Sequence, residues 1–206
     1  MTHNKDRAYW AARHREVPGI RAVGCRTKSD EENEREYATA AERLRFYIRR
    51  DLSLKERASV LDAGYGQGHH ANVAASEGFQ TYLGLDLAAP APPPRATVPR
   101  KGYAYRTAVD IGAPLHLGTR FDLVLALDVL FHITDEARFE AAIDNLRRHA
   151  ARFVYVTGVF ENPLPNAPTA RTAPHVRHRP LQRFSRLGKL VAVCPWRDTH
   201  LARFRV

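Results

Sequence analysis

A chain of 206 residues with 44% hydrophobic side chains can bury a core of its own, and no uncharged apolar run in it is long enough to span a bilayer. Two cysteines, Cys25 and Cys194, supply no disulfide framework, and the polar start "MTHNKDRAYW" lacks the apolar middle of a signal peptide; both point to the reducing cytoplasm. The net charge of +10 predicts attraction to anions, and it is unevenly spread: residues 29–36 read "SDEENERE", whereas beyond Glu161 the only acid is Asp198.

In chain order, residues 30–51 carry apolar and aromatic side chains in a helical rhythm, with Ser29 and the acids after it as the start. "SVLDAG" is a short buried strand ending in turn residues, and "HANVAASEG" is a helix closed by Gly78. "TYLGLDL" is a second strand. "APAPPPRATVP" is a surface loop, since proline lacks the backbone donor and fixes φ. "YAYRTAVDI" is a third strand, "FDLVLALDVLF" a fourth, "DEARFEAAIDNLRRHA" an amphipathic helix and "RFVYVTGVF" a fifth strand. Alternating strands and helices with doubly buried strands predict a parallel sheet covered on both faces. The closing runs "KLVAVCPW" and "THLARFRV" read instead as a hairpin, hence antiparallel.

In such sheets ligands bind beyond the carboxyl ends of the strands, which directs attention to the first strand-to-helix turn. Its glycines, Gly64, Gly66 and Gly68, follow G-x-G-x-G; the third glycine of a dinucleotide fingerprint would fall on His69, and no P-loop Gly-Lys-Ser/Thr is present. Asp62, just ahead of the glycines, would repel a pyrophosphate but suits an ammonium group. Asp86, at the end of the second strand, can accept both hydroxyls of a ribose. A ligand with an ammonium and a ribose but no phosphate is S-adenosylmethionine.

"VLDAGYGQG", "LGLDL", "AVDI" and "FDLVLALDVLFHI" together resemble the class I S-adenosylmethionine-dependent methyltransferases, from about Ala58 to the C-terminus. The resemblance implies a Rossmann-like α/β fold. Its sheet would have seven mostly parallel strands with the last antiparallel, helices on both faces, and an N-terminal helical lid over residues 1–51 capping a methyltransferase domain over 52–206. It implies that Asp62, Gly64, Tyr65, Gly66 and Gly68 surround the methionine part of the cofactor and that Asp86 and Leu87 take the ribose. Asp110 and Ile111 would flank the adenine, and Asp128 and Phe131 close the site. His69 and His70 diverge at a helix start, have no ligand-spaced partner and are read as the first helical turn, with no metal expected. Asp122 is read as a strand-start residue without chemistry.

The acceptor pocket is expected from the N-terminal helix and the segments after the fourth and fifth strands. His132 is either an orienting residue or a general base. In "HVRHRP" an extended chain would put Arg177 and Arg179 on one face and His178 on the other, and with Lys189 the two guanidiniums would cradle an oxyanion. One of these arginines could equally cap a helix or pair with the acidic helix at 30–36. The N-terminal segment resembles the lid of natural-product methyltransferases; Tyr37, His132, Arg177 and Lys189 resemble the acceptor site of phosphonate O-methyltransferases from antibiotic pathways. The expected partner is therefore a small anionic acceptor, with another small molecule as the alternative. RNA is disfavoured because the chain shows neither a separate binding module nor a stacking strip, and the asparagine-proline motif is missing after the fourth strand. No membrane partner is expected, and homo-oligomerisation is left open.

Overall fold

The structure, a computed structural model, describes residues 2–17, 19–90, 93, 95, 100–160 and 175–206. The expected proline-rich loop at 89–99 therefore lies largely outside the described residues. Its strands form one seven-stranded sheet in the order β3-β2-β1-β4-β5-β7-β6, with six strands parallel and β7 antiparallel. These are β1 (Ser59–Ala63), β2 (Thr81–Leu85), β3 (Tyr103–Arg106), β4 (Phe121–Ala126), β5 (Ala150–Gly158), β6 (Lys189–Trp196) and β7 (Thr199–Arg205). The chain divides into two compact units, Met1–Val109 and Asp110–Val206. Among the described residues no helix is long and apolar enough to cross a membrane.

The first unit holds α1 (Thr2–Glu16), α2 (Asp30–Asp51) and α3 (His69–Ser76) with β1 to β3. Helix α1 lies within residues 1–51, where a helical lid is expected from the resemblance, although its apolar residues are too few to make a helical stripe legible in the sequence. Helix α2 starts where Ser29 accepts from the Glu32 N–H while the Glu32 carboxylate accepts from the Ser29 N–H, a capping box. The wholly buried Asn33 then ties down the preceding turn, donating to the carbonyls of Cys25 and Ser29 and accepting from the Cys25 N–H. Strand β1 is buried along Val60 to Ala63, between β2 and the rest of the sheet. The third strand ends at Arg106, short of the expected Ile111. Ala108 has φ +60°, a left-handed backbone that cannot continue a strand, and Val109 turns back to donate to the Asp86 carbonyl.

The second unit is β4, α4 (Glu136–His149), β5, a 3-10 turn at Leu181–Leu187 and the β6–β7 hairpin. Strands β4 and β5 are parallel with Leu123 opposite Phe153 and Ala126 opposite Val156, and their buried runs form the core with Phe139, Ile143 and Leu146 of α4. Asp135 caps α4 by accepting from the Arg138 N–H. Strand β7 is inserted antiparallel between β5 and β6 and is buried from Thr199 to Phe204, leaving β6 as the edge.

Candidate active site

The glycine turn of the first unit follows β1, whose carboxyl end abuts that of β2 through the pair Ala63 and Leu85. Gly64, Gly66 and Gly68 have φ of +99°, +53° and +87°, so the tight turn demands glycine at all three. The Leu85 carbonyl accepts from the Gly64 N–H at 2.7 Å, and the Asp86 carboxylate accepts from the Gly66 N–H at 3.0 Å and from Ala88 and Ala89 at 2.9 Å each. Asp86 is thereby held rigidly at the end of β2, with Leu87 half-buried in the turn it anchors. Tyr65 is buried beneath the loop, its ring filling the space that Gly84 leaves by having no side chain, and its hydroxyl donates to the Pro90 carbonyl. Burial pushes that phenol far above its ordinary range, with Asp86 adding to the effect, so it stays a donor.

Asp62 is fully buried at the end of β1. Its Oδ2 accepts from the Tyr82 hydroxyl at 2.5 Å and lies 3.1 Å from His70 Nδ1, whereas its Oδ1 is buried with no hydrogen-bond partner among the described residues. An orphaned carboxylate oxygen in a closed site is costly unless a donor arrives with a ligand, and an ammonium group is such a donor. From the sequence, His69 and His70 are expected to form a first helical turn only. The correction is that both are put to use: His70 reaches back to Asp62, and His69 stacks on Tyr37 of α2 with centroids 4.3 Å apart. Nothing in the residue pattern shows this, because the αL conformation of Gly68 sets the direction of the helix start.

The N-terminal elements close on the same turn. Tyr37 donates to the Val23 carbonyl, Val23 packs on Gly66 so closely that a Cβ there would lie 2.9 Å from it, and Gln67 donates to the Gly19 carbonyl at 2.6 Å. Arg13 of α1 spans the 3-10 turn at Gly19–Ala22, donating to the carbonyls of Arg21, Ala22 and Gly24. Next to it, burial holds the His14 imidazole below its ordinary range, against the pull of the Asp86 carboxylate and with the help of Arg13.

In the second unit, β4 is followed by Asp128, whose φ of +59° is unusual for a residue with a side chain. Three bonds hold it there. The wholly buried Thr157 accepts from its backbone N–H and donates to its Oδ1 at 2.9 Å, and Arg197 in the β6–β7 turn pairs with its Oδ2 at 2.9 Å. Arg197 is itself at φ +35° and nearly buried. Sequence reasoning missed Thr157 and Arg197 because they become neighbours of Asp128 only through strand pairing. Past Asp128, the 3-10 turn at Leu130–His132 places Phe131 and His132, whose rings are 4.5 Å apart. His132 Nδ1 lies 3.0 Å from the His175 carbonyl oxygen, which can only accept, and the two imidazoles stack at 5.6 Å. That bond puts the proton of neutral His132 on Nδ1 and the lone pair on Nε2.

Asp110 and Ile111 begin this unit. Asp110 accepts from the Gly112 N–H and from Arg138 of α4 on both oxygens, while Asn145 donates to the Ile111 carbonyl. The loop is thus lashed to α4.

The basic tail is placed differently from the oxyanion cradle expected of it. Arg177 and Arg179 do share a face, but that face meets α4: both pair with Glu136, at 3.0 and 3.1 Å. Arg179 is buried over the Phe139 ring at 3.9 Å and donates to the Ile133 carbonyl. Arg183 and Arg186 continue the ladder on Glu136, Glu140 and Asp144. The partner helix is therefore α4 rather than the acidic stretch at 30–36. Lys189 is a second correction. It pairs in register with Arg205, which faces Phe153 near the amino end of β5, whereas Asp128 and Gly158 mark the carboxyl ends. A long exposed side chain at the amino end of the sheet cannot wall an acceptor bound beyond the carboxyl ends. Asp122, read as inert, pairs with Arg152.

A family model described as "Methyltransferase domain" matches residues 30–187. That span runs from α2 through the ladder and leaves out the first 29 residues and the β6–β7 hairpin with Lys189, Arg197 and Arg205. The chain belongs to this family of S-adenosylmethionine-dependent methyltransferases. Among solved structures, the magnesium protoporphyrin IX methyltransferase of Synechocystis PCC 6803 with bound S-adenosylhomocysteine has a TM-score of 0.68 at 17% identity, over 98% of each chain. The N-methyltransferase NodS of Bradyrhizobium japonicum WM9 with S-adenosylhomocysteine has 0.65 at 19%, over 95% of this chain and 97% of that one. The phosphoethanolamine N-methyltransferase 1 of Haemonchus contortus has 0.66 at 14%, over 99% of this chain and 49% of its own. At these identities the likeness carries the fold of the methyltransferase. No match was found among curated protein sequences.

Proposed function

We propose that this methyltransferase uses Asp62, the glycine turn and Asp86 to hold S-adenosylmethionine and transfers its methyl group to a nucleophilic oxygen or nitrogen of a small molecule. S-adenosylmethionine supplies the electrophilic methyl on its sulfonium; the chain's own residues bind, orient and exclude water. The orphaned Oδ1 of Asp62 carries this reading: it accepts from the ammonium group. The Asp86 carboxylate still has lone pairs for ribose hydroxyls beyond its three backbone bonds. Gly64, Tyr65, Gly66 and Gly68 line the methionine part, Leu87 the ribose, Asp110 and Ile111 the adenine, and Asp128 and Phe131 complete the cofactor residues. Residues 1–51 serve as the lid, which Tyr37, Val23 and Gln67 fasten to the glycine turn.

For the acceptor, the phosphonate reading loses its cation carriers, since Arg177 and Arg179 are committed to Glu136 and Lys189 stands at the amino end of β6. The reading that fits is an acceptor that carries a proton to be lost, an amine or a hydroxyl, with His132 Nε2 as the base that removes it. The test is a panel of amine, hydroxyl, carboxylate and phosphonate acceptors with labelled S-adenosylmethionine, read by mass spectrometry. With the acceptor so found, His132→Ala should lower kcat by about 10²–10⁴-fold, the usual range for losing a general base, with cofactor affinity unchanged. Labelling confined to phosphonates, with His132→Ala fully active, overturns the acceptor reading; absence of calorimetric S-adenosylmethionine binding overturns the cofactor assignment.

A further inference from the structure

We infer that His70 is a positioning residue for the methyl donor: together with Tyr82 it clamps one oxygen of Asp62 so that the other is turned toward the donor's ammonium group. The inference rests on the reading of Asp62 given above and adds to it what fixes the carboxylate. A carboxylate at the end of a strand can rotate about its last side-chain bond, and its two oxygens then exchange places. Here both protein donors converge on the same atom, Oδ2, the Tyr82 hydroxyl at 2.5 Å and His70 Nδ1 at 3.1 Å. Oδ1 is left buried and unsatisfied, the arrangement of a site that keeps one acceptor for an incoming donor.

The clamp is itself held on both sides. The Tyr82 ring is fully buried, stacks on Tyr103 with centroids 5.3 Å apart and meets Tyr105 at 5.7 Å. Burial, and then the Asp62 charge, raise the Tyr82 phenol well above its ordinary range, so it remains a donor. On the other side, His70 is the second residue of α3, two positions after the αL residue Gly68, and its ring is only 15% exposed. Its neighbour His69 turns the other way to stack on Tyr37. A histidine needed only to begin α3 would have no reason to contact the one acid buried at the end of β1.

The test compares two ligands on the whole chain by calorimetry: S-adenosylhomocysteine, and 5′-methylthioadenosine, which lacks the amino-acid portion. The wild type should prefer S-adenosylhomocysteine, and Asp62→Asn should erase most of the preference. His70→Ala and Tyr82→Phe should each weaken S-adenosylhomocysteine binding about tenfold, the loss expected for a charge-assisted contact, and leave 5′-methylthioadenosine unchanged. His70→Asn places an amide N–H where Nδ1 stands and should restore wild-type discrimination. Equal losses for both ligands would show that His70 only supports α3, and overturn the inference. So would an unaltered preference in His70→Ala and Tyr82→Phe, and if Asp62→Asn still lost its preference, the reading of Asp62 would stand while that of His70 fell. A preference untouched by Asp62→Asn would sink both.

Discussion

Glu77 closes α3 with a carboxylate that is 1% exposed and shared by two guanidiniums, Arg49 at 2.8 Å and the buried Arg57 at 3.2 Å. Arg57 also donates to the Leu52 carbonyl, so one acid fastens the end of α2 to the end of α3. Removing one partner of a buried pair leaves the other charge unsolvated. Glu77→Ala should cost about 3–5 kcal/mol and lower the melting temperature by roughly 10 °C, read by calorimetry; a loss under about 1 kcal/mol would mean that water replaces the carboxylate. Arg197 poses the opposite case, a side chain retained on a backbone that favours glycine, at φ +35°, by its pair with Asp128. Arg197→Gly should therefore be more stable than Arg197→Ala by about 1 kcal/mol, because both lose the ion pair and only glycine accepts the backbone freely. Equal stabilities would show that the turn relaxes.

At the scale of elements, two contacts give the chain its working parts. Helix α1 is attached through Arg13, whose guanidinium holds three carbonyls of the Gly19–Gly24 turn and whose ring contact with Trp10 lies within its own helix. Arg13→Ala should release α1 and speed amide exchange over residues 2–24, with the sheet amides unaffected; exchange that stays slow would mean that packing alone seats the helix. In the other unit, α4 and the Leu181–Leu187 turn are joined by the arginine ladder on Glu136, Glu140 and Asp144. Partial burial pushes the Glu136 carboxyl up, but Arg179, Arg177 and Arg183 outweigh it and hold it below its ordinary range. A depressed carboxyl contributes stability that is present above about pH 4.3, the free glutamate value, and lost as pH falls through the folded-state value. Glu136→Gln should flatten the acid limb of the stability curve, as denaturation followed from pH 6 to pH 3 would register. An acid limb identical to wild type would remove Glu136 from the account.

Across the whole molecule the histidines, not the net charge, set the response near neutrality. Burial lowers His149 and His200, and lowers His14 against the pull of Asp86. His149 shows why protonation is resisted: Nδ1 lies 2.7 Å from the Asn145 carbonyl and Nε2 accepts from the Leu117 N–H at 3.2 Å, so both nitrogens are bonded as in a neutral ring. Since each folded-state value lies below the free imidazole, the unfolded chain binds more protons as pH drops. The stabilisation is complete above about pH 6.5 and is lost as pH falls below it toward the folded-state values. The melting temperature should therefore decline between pH 7 and pH 5, before the carboxyls titrate; a flat or rising profile over that interval would contradict the neutral assignment.

The sequence by itself determined the order of elements and the identity of the cofactor turn, because both are written in local terms. The apolar runs of β1, β4 and β5 have a period and length that only buried strands satisfy, Ser29 with Glu32 marks the start of α2, and G-x-G-x-G after an acid fits one class of ligand. What only the tertiary structure decided is which charges are already spent. Arg177 and Arg179 read as a free pair until α4 brings Glu136 against them, and Lys189 reads as part of the acceptor wall until strand register carries it to the amino end of β6. His70 reads as the first turn of a helix until Gly68 aims it at Asp62. Coulomb attraction and hydrogen bonding act over a few ångströms, and partners 43 or 69 residues apart in the chain come within that distance only once the sheet is paired.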